Sequence, residues 1–335
     1  MLPQRRPFAG LAGATCVVTG GLGFIGSNLA RALVDAGANV RVVDALVPTL
    51  GGRADHLDDV AVESVLVASI ADARVATVIE GADVVFNVAG QVSHTASMRD
   101  PQQDLALNAT SHATFLETIR CVCPTARVIY TSTRQVYGRS TVSTVDETHA
   151  ASPVDVNGVA KLAGEQLHLV YCHAYGIAAT ALRLTNVYGP RQRLSSDELG
   201  FLPVFVRKAL LGETIEIYGD GTQRRDCLHV ADVLTALDVA AADTRAVGHV
   251  FNVGHPDTHT IAEIADAVAE AAGSKAGVQL VDWPGDRARI DIGSFHTGSA
   301  RIAAALGWRA VIDLRDGLCD TVAFYREHPW YLSST

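Results

Sequence analysis

The stretch Thr19-Gly20-Gly21-Leu22-Gly23-Phe24-Ile25-Gly26 decides the fold. An apolar run, Cys16-Val17-Val18, leads into it, and apolar residues at helical spacing over 24–36 lead out. Gly20, Gly23 and Gly26 thus stand between a buried strand and a helix. That arrangement turns the chain sharply and lets its backbone approach a pyrophosphate. It also aims the free N–H groups of the helix N-terminus at the negative charge. Glycine marks ordinary turns too, so the weight comes from context. A second strand over 39–43 ends in Asp44, about 20 residues past the loop, where a ribose diol would be held. A carboxylate there repels a 2′-phosphate, and no arginine follows it directly, so NAD is favoured over NADP.

Working outward, 45–59 is rich in Gly, Pro and Asp and reads as a loop. Strands are expected over 63–67, 83–88, 127–132 and 178–184, and helices over 71–80, 101–121 and 158–175. Buried strands alternating with helices make a parallel, doubly wound sheet, whose ligands lie beyond the carboxyl ends of the strands. Ala89 to His94 follow one such end. Their small residues let a cofactor lie close, and Ser93 and His94 could reach it or a substrate. His94 reads equally well as a solvated loop histidine. Thr133, at another strand end, suits a substrate contact or a cap.

Beyond Tyr188-Gly189-Pro190 the pattern loosens, with a polar loop over 191–199. Helices follow over 201–212, 230–241, 261–272, 299–306 and 314–325, and strands over 214–218, 249–253 and 279–283. Gly219-Asp220-Gly221 is a turn, and Arg224 and Arg225 after it either clamp a diphosphate or form a solvated pair. The expected architecture is α/β: a Rossmann-type doubly wound parallel sheet with a smaller C-terminal substrate-binding lobe. The division is an NAD-binding domain over 13–185, with 226–255 returning to it, and a lobe from 186–225 and 256–330.

A net charge of −9 argues against nucleic acid or an anionic membrane as partner. Apolar residues are 48% and charged residues 19%, a globular composition. The six cysteines sit in apolar stretches without metal-ligand spacing, which reads as reduced, buried thiols in a cytoplasmic protein and no metal site. Residues 1–13 lack a signal-peptide core, and the first dozen residues read as a loose leader. No stretch reaches the ~18 apolar residues of a membrane span.

The chain resembles the extended short-chain dehydrogenase/reductase family, within it the nucleotide-sugar epimerases and dehydratases. The likeness rests on TGGLGFIG at 19–26, Asp44, NVAG at 87–90, Asn108, YTSTRQVYG at 130–138, KLAGE at 161–165, LRLTNVYGP at 182–190 and GDGTQRRDCLHVADV at 219–233. It implies NAD as cofactor, contacted by Gly20, Gly23, Phe24, Ile25, Gly26, Asp44, Ser69, Ile70, Ala89 and Lys161. It implies a nucleotide-linked sugar as substrate, contacted by Ser93, Thr133, Asn186, Arg225 and Arg287. Thr133 matches the hydroxyl that bonds the sugar, and Lys161 the lysine on the nicotinamide ribose. A homodimer through 101–121 and 158–175 is also implied, although the apolar periodicity of these helices fits a core as well.

The family pattern is Tyr, three residues, then Lys; here Asn157 precedes Lys161. An amide cannot take a proton from a hydroxyl. One reading makes His94 the base, because imidazole titrates near neutrality, with Tyr137 and Tyr188 as further candidates. A second lets Asn157 only orient the sugar. In a third the chain binds without turnover. The Asp-Glu pair of the family's 4,6-dehydratases is replaced by Arg134 and Gln135, which disfavours conventional elimination. The expected activity is therefore an NAD-dependent nucleotide-sugar epimerase acting through transient oxidation. The alternatives are an unconventional dehydratase and a non-catalytic NAD- and nucleotide-sugar-binding protein.

Overall fold

A computed structural model describes residues 7–48, 50–195, 200–275 and 277–332. Strand β1 (Thr15–Thr19) enters the glycine loop and helix α1 (Phe24–Asp35) leaves it. Then come β2 (Asn39–Asp44), β3 (Ser64–Val67), α2 (Val75–Ile79), β4 (Val84–Asn87), α3 (His94–Arg99) and α4 (Pro101–Leu105). Next are α5 (Ser111–Val122), β5 (Arg127–Thr133), α6 (Val156–Tyr175), β6 (Ala178–Leu184) and β7 (Asn186–Tyr188). The later part contains α7 (Phe201–Leu211), β8 (Ile215–Tyr218), β9 (Arg224–Arg225), β10 (Cys227–His229), α8 (Val230–Ala242) and β11 (Val250–Val253). Last are β12 (His259–Thr260), α9 (Ile261–Ala271), β13 (Val278–Val281), α10 (Gly285–Ile290), α11 (Ala300–Leu306) and α12 (Leu314–Glu327).

The main sheet has seven parallel strands in the order β11-β6-β5-β4-β1-β2-β3. Alternation along each strand serves two cores, as a sheet covered on both faces requires. Cys16 and Val18 of β1, with Val84 and Phe86 of β4, pack with α1, α8 and α11. Val17 and Val85 pack on the other face with α2 and α5. A separate core joins α7, α9 and α12 through Phe205, Ile264, Leu318 and Tyr325. It is the counterpart of the expected smaller lobe. The structure differs at α11, whose Ile302 and Leu306 complete the core of the main sheet.

Two expectations need correction. Residues 7–12 are no loose leader: Phe8 is fully buried and stands edge-on to Phe86 at 5.7 Å. The helix expected over 101–121 is interrupted by a π-helical turn, Ala106–Thr110, between α4 and α5. Such a turn inserts a residue and often lies at a functional site. Here it contains the buried Asn108. Of the loop expected over 191–199, residues 196–199 lie outside the described residues. Among the described residues no helix is long and apolar enough to cross a membrane, and no group of side chains could hold a metal. All six thiols are free; Cys16, Cys123 and Cys227 are buried, whereas Cys121 and Cys319 are exposed, against the expectation.

Candidate active site

The glycine loop shapes the first cleft. Gly20 has φ +67, and a Cβ on it would come within 2.8 Å of Ala89 Cα. A Cβ on Gly26 would lie 2.0 Å from Gly20 O. Both positions therefore admit only hydrogen. No side chain caps the N-terminus of α1, so its N–H groups stay available to an anion. Asp44 ends β2 with Oδ2 accepting from Leu22 N at 3.0 Å and Oδ1 from Leu46 N at 2.8 Å. Burial raises its pKa, and these N–H bonds oppose the rise.

Gly20, Gly23, Phe24, Ile25, Gly26, Asp44, Ser69, Ile70 and Ala89 all line this one cleft of about 940 Å³. The wall also includes Val47, Leu50 and Gly52, from the segment expected to be an ordinary loop. Among the described residues Asp44 is its only charged one and no arginine or lysine lines it, a lining that suits a free 2′-hydroxyl. The narrow loop, the open helix end and the single carboxylate fit NAD.

Beneath the cleft lies a buried polar hub. Thr19 Oγ1 donates to Asn87 Oδ1 at 2.7 Å, and Asn87 Nδ2 donates to His112 Nδ1 and His168 Nε2, both at 3.0 Å. His168 then donates from Nδ1 to Gly164 O at 2.7 Å, and its ring stacks on Tyr130 at 4.2 Å. Burial lowers both imidazole pKa values, that of His168 to about 4, so both rings are neutral at pH 7.

A second cavity, of about 1030 Å³, is lined by His94, Thr133, Arg134, Asn157, Lys161 and Asn186 among others. Lys161 Nζ donates to Thr131 O at 3.0 Å and lies 5.0 Å from the centre of the Tyr130 ring. Burial lowers its pKa to about 8, against the attraction of Asp104 and Glu165. Asn157, in the first turn of α6, is buried. Its Nδ2 donates to Gln91 O at 2.9 Å and Asp104 Oδ2 at 3.1 Å. Both partners are acceptors, so the NH₂ group must face them. Among the described residues Oδ1 has no partner, so the amide offers the cavity an acceptor only. Asn108 supports the same corner, bonding both backbone atoms of Gln91 and Asp104 Oδ1. Burial raises the pKa of Asp104, against the two amides.

His94 opens α3. Its Nδ1 lies 3.0 Å from Asp155 Oδ2, in a close but poorly aligned contact. Asp155 caps α6: Oδ1 accepts from Gly158 N at 2.7 Å, and Oδ2 accepts from Gln135 Nε2 at 2.9 Å. Burial works to raise its pKa, yet His94, Gly158 and Gln135 together hold it below the usual carboxylate value. A carboxylate accepts only, which favours the tautomer with hydrogen on the neighbouring Nδ1. His94 is thus no freely solvated side chain.

Other sequence-derived candidates divide. Thr133 lines the cavity and also caps, accepting from Gln135 N at 3.2 Å. Ser93 is spent capping α3, accepting from Ala96 N at 3.2 Å, and lines none of the described cavities. Tyr137 is buried between Asn252 and Arg183, and Tyr188 against His229, so neither reaches the site. Arg225 and Arg287 line a third cavity with Tyr218 and Trp283, and His94 borders it too. Arg225 is buried and pairs with Asp291 at 3.3 Å, whereas Arg224 turns out to Thr258. Sequence reasoning missed Asp104 and Asp155. Asp155, three residues before Gly158, carried an N-cap signal, but nothing local pointed it at His94.

Comparison with known proteins agrees. Residues 16–254 match the NAD dependent epimerase/dehydratase family. The UDP-glucose 4-epimerase of Mycolicibacterium smegmatis is 31% identical, over 92% of this chain and 98% of that protein. The dTDP-glucose 4,6-dehydratase of Streptomyces griseus is also 31% identical, over 93% of this chain and 94% of its own. A solved dTDP-glucose 4,6-dehydratase from Streptomyces venezuelae, with NAD bound, superposes with a TM-score of 0.86 at 26% identity. It covers 96% of this chain and is itself covered completely, at 100%. With its sheet, its NAD-shaped cleft and these relatives, the chain belongs to the NAD dependent epimerase/dehydratase family.

Proposed function

We propose that the protein is an NAD-dependent nucleotide-sugar epimerase that oxidises a sugar hydroxyl to a ketone, inverts a centre and restores the alcohol. NAD supplies the acceptor and later the donor of the hydride. His94 Nε2 takes the hydroxyl proton, and Asp155 stabilises the imidazolium that results. The Thr133 hydroxyl and Asn157 Oδ1 orient the sugar, and Lys161 holds the nicotinamide ribose. Asn186, Arg225 and Arg287 bind the nucleotide diphosphate, and the chain works as a homodimer.

One observation carries this reading: an imidazole backed at 3.0 Å by a buried carboxylate borders the same cavity as Thr133, Asn157 and Lys161. An imidazole so placed supports a proton-transfer role in the site where the family's tyrosine is absent. The relatives include both epimerases and dehydratases, so isomer formation and water loss need to be told apart.

The test is incubation with UDP- and dTDP-linked sugars, read by mass and by chromatographic separation of isomers. A new isomer of unchanged mass supports the epimerase, and loss of water establishes elimination instead. Tight binding with no product under any condition makes the protein a binder. Turnover that survives His94→Ala removes His94 as the base.

A further inference from the structure

The second cavity has an unbalanced charge. None of the described residues that line it is acidic, yet Arg134 and Lys161 both do. Lys161 has Asp104 and Glu165 acting on it through space. Arg134 has Asp226 and Asp291 acting on it through space, but among the described residues no carboxylate lies within ion-pair distance of it. Its one hydrogen bond runs from Nη2 to Asn186 Oδ1 at 2.9 Å, while Nη1 is buried with no partner. The guanidinium is packed over the Phe295 ring, 5.2 Å from its centre. Burial, with Arg225 nearby, lowers its pKa to about 10, so it is still charged at pH 7.

A buried guanidinium with no carboxylate in contact and one donor left unpaired is costly, and a ligand oxygen on that donor would offset the cost. Arg134 and Thr133 line the same cavity, so an anion on Arg134 would share it with a sugar held by Thr133. The third cavity already has its own guanidinium groups, Arg225 and Arg287, for a diphosphate. Resting on the nucleotide-sugar reading above, we propose that Arg134 receives a carboxylate on the sugar and that the substrate is a nucleotide-linked uronic acid. The planar fork of arginine matches a carboxylate, and discrimination follows because a neutral hydroxymethyl group leaves the cation unpaired.

A phosphate oxygen offers the same chemistry, so the test separates the two sources. Calorimetric titration of the NAD-loaded protein with UDP and dTDP first identifies the carrier. Sugars on that carrier, glucose against glucuronic acid, are then compared in the native protein and in Arg134→Gln and Arg134→Lys. The expected result is a preference of about tenfold or more for the uronate. Arg134→Gln erases the preference and leaves the free nucleotide within about threefold, while Arg134→Lys keeps part of it. Equal loss for free nucleotide and both sugars assigns Arg134 to the diphosphate and overturns the proposal. No preference in the native protein also overturns it. Failure to bind either nucleotide overturns the nucleotide-sugar reading itself. NAD affinity, read in a cleft that Arg134 does not line, reports whether each variant is folded.

Discussion

Acidification should unlock the hub beneath the NAD cleft, and His168 gives the size of the effect. Its ring is fully buried, accepts from Asn87 and donates to Gly164 O, leaving no site for a second proton. Its pKa falls from 6.5 to about 4, mainly through burial. A base whose folded pKa is depressed protonates first in the unfolded chain. Its contribution to stability is complete above about pH 6.5 and is lost progressively as the pH falls toward 4. That displacement corresponds to about 3 kcal/mol for this one ring, roughly a fifth to two thirds of the stability of an ordinary domain. His56, buried against Leu22 O, adds a loss over the same window. Urea unfolding at about pH 7.5 and about pH 4.5 measures the total. His168→Gln should lower stability at the higher pH but flatten the dependence. Because Asn87 also fixes Thr19, whose Oγ1 accepts from Ala89 N at 3.3 Å, NAD affinity should fall over the same range. An NMR titration placing His168 near its ordinary value, or an unchanged slope in His168→Gln, would refute this reasoning.

Three further outcomes are expected. Gly26→Ala places a methyl group 2.0 Å from Gly20 O and should abolish NAD binding measured by protein fluorescence quenching; retained affinity would mean the loop is not the cradle. His94→Ala should lower kcat by about 10²–10⁴, with Asp155→Asn lowering it less and moving the acid limb of the pH–rate profile; a profile identical in all three proteins would sink the pair. Lys161→Met removes a buried cation whose folded pKa is about 8, so it should raise the apo-protein Tm at pH 7 while weakening NAD binding. The stability gap should close as the pH rises from about 8 to about 10.5, because the native lysine then folds without its charge.

The cofactor end was legible because it is local. Gly20, Gly23, Gly26 and Asp44 occur within one strand–helix–strand unit, where spacing fixes geometry. The second cavity is built across long separations. His94 meets Asp155 across 61 residues of chain, and Asn157 meets Asp104 across 53. Nothing in either neighbourhood encodes such a meeting. The π-helical turn at Ala106–Thr110 was hidden for a different reason. Apolar periodicity survives one inserted residue, so 101–121 reads as a single helix while Asn108 is re-aimed at Gln91. Ser93 misled because a polar side chain at a strand end can serve a ligand or cap the next helix, and the two look alike in sequence. Arg134 was seen only as the loss of an acid; its unpaired Nη1 is a property of the folded chain.

Phe8 changes where this protein begins. The recognisable motifs start at the first strand, and a chain trimmed to them would start after residue 12. Phe8 fills the space beside Phe86 on β4, the strand whose end carries Ala89 into the cofactor cleft. Removing such a ring from a closed core costs about 3–5 kcal/mol. Expression starting at Gly13 would therefore yield a protein with intact motifs and a hole beneath the sheet, easily mistaken for an inactive enzyme. The stopper precedes the vessel, and any construction of a shortened form must keep it.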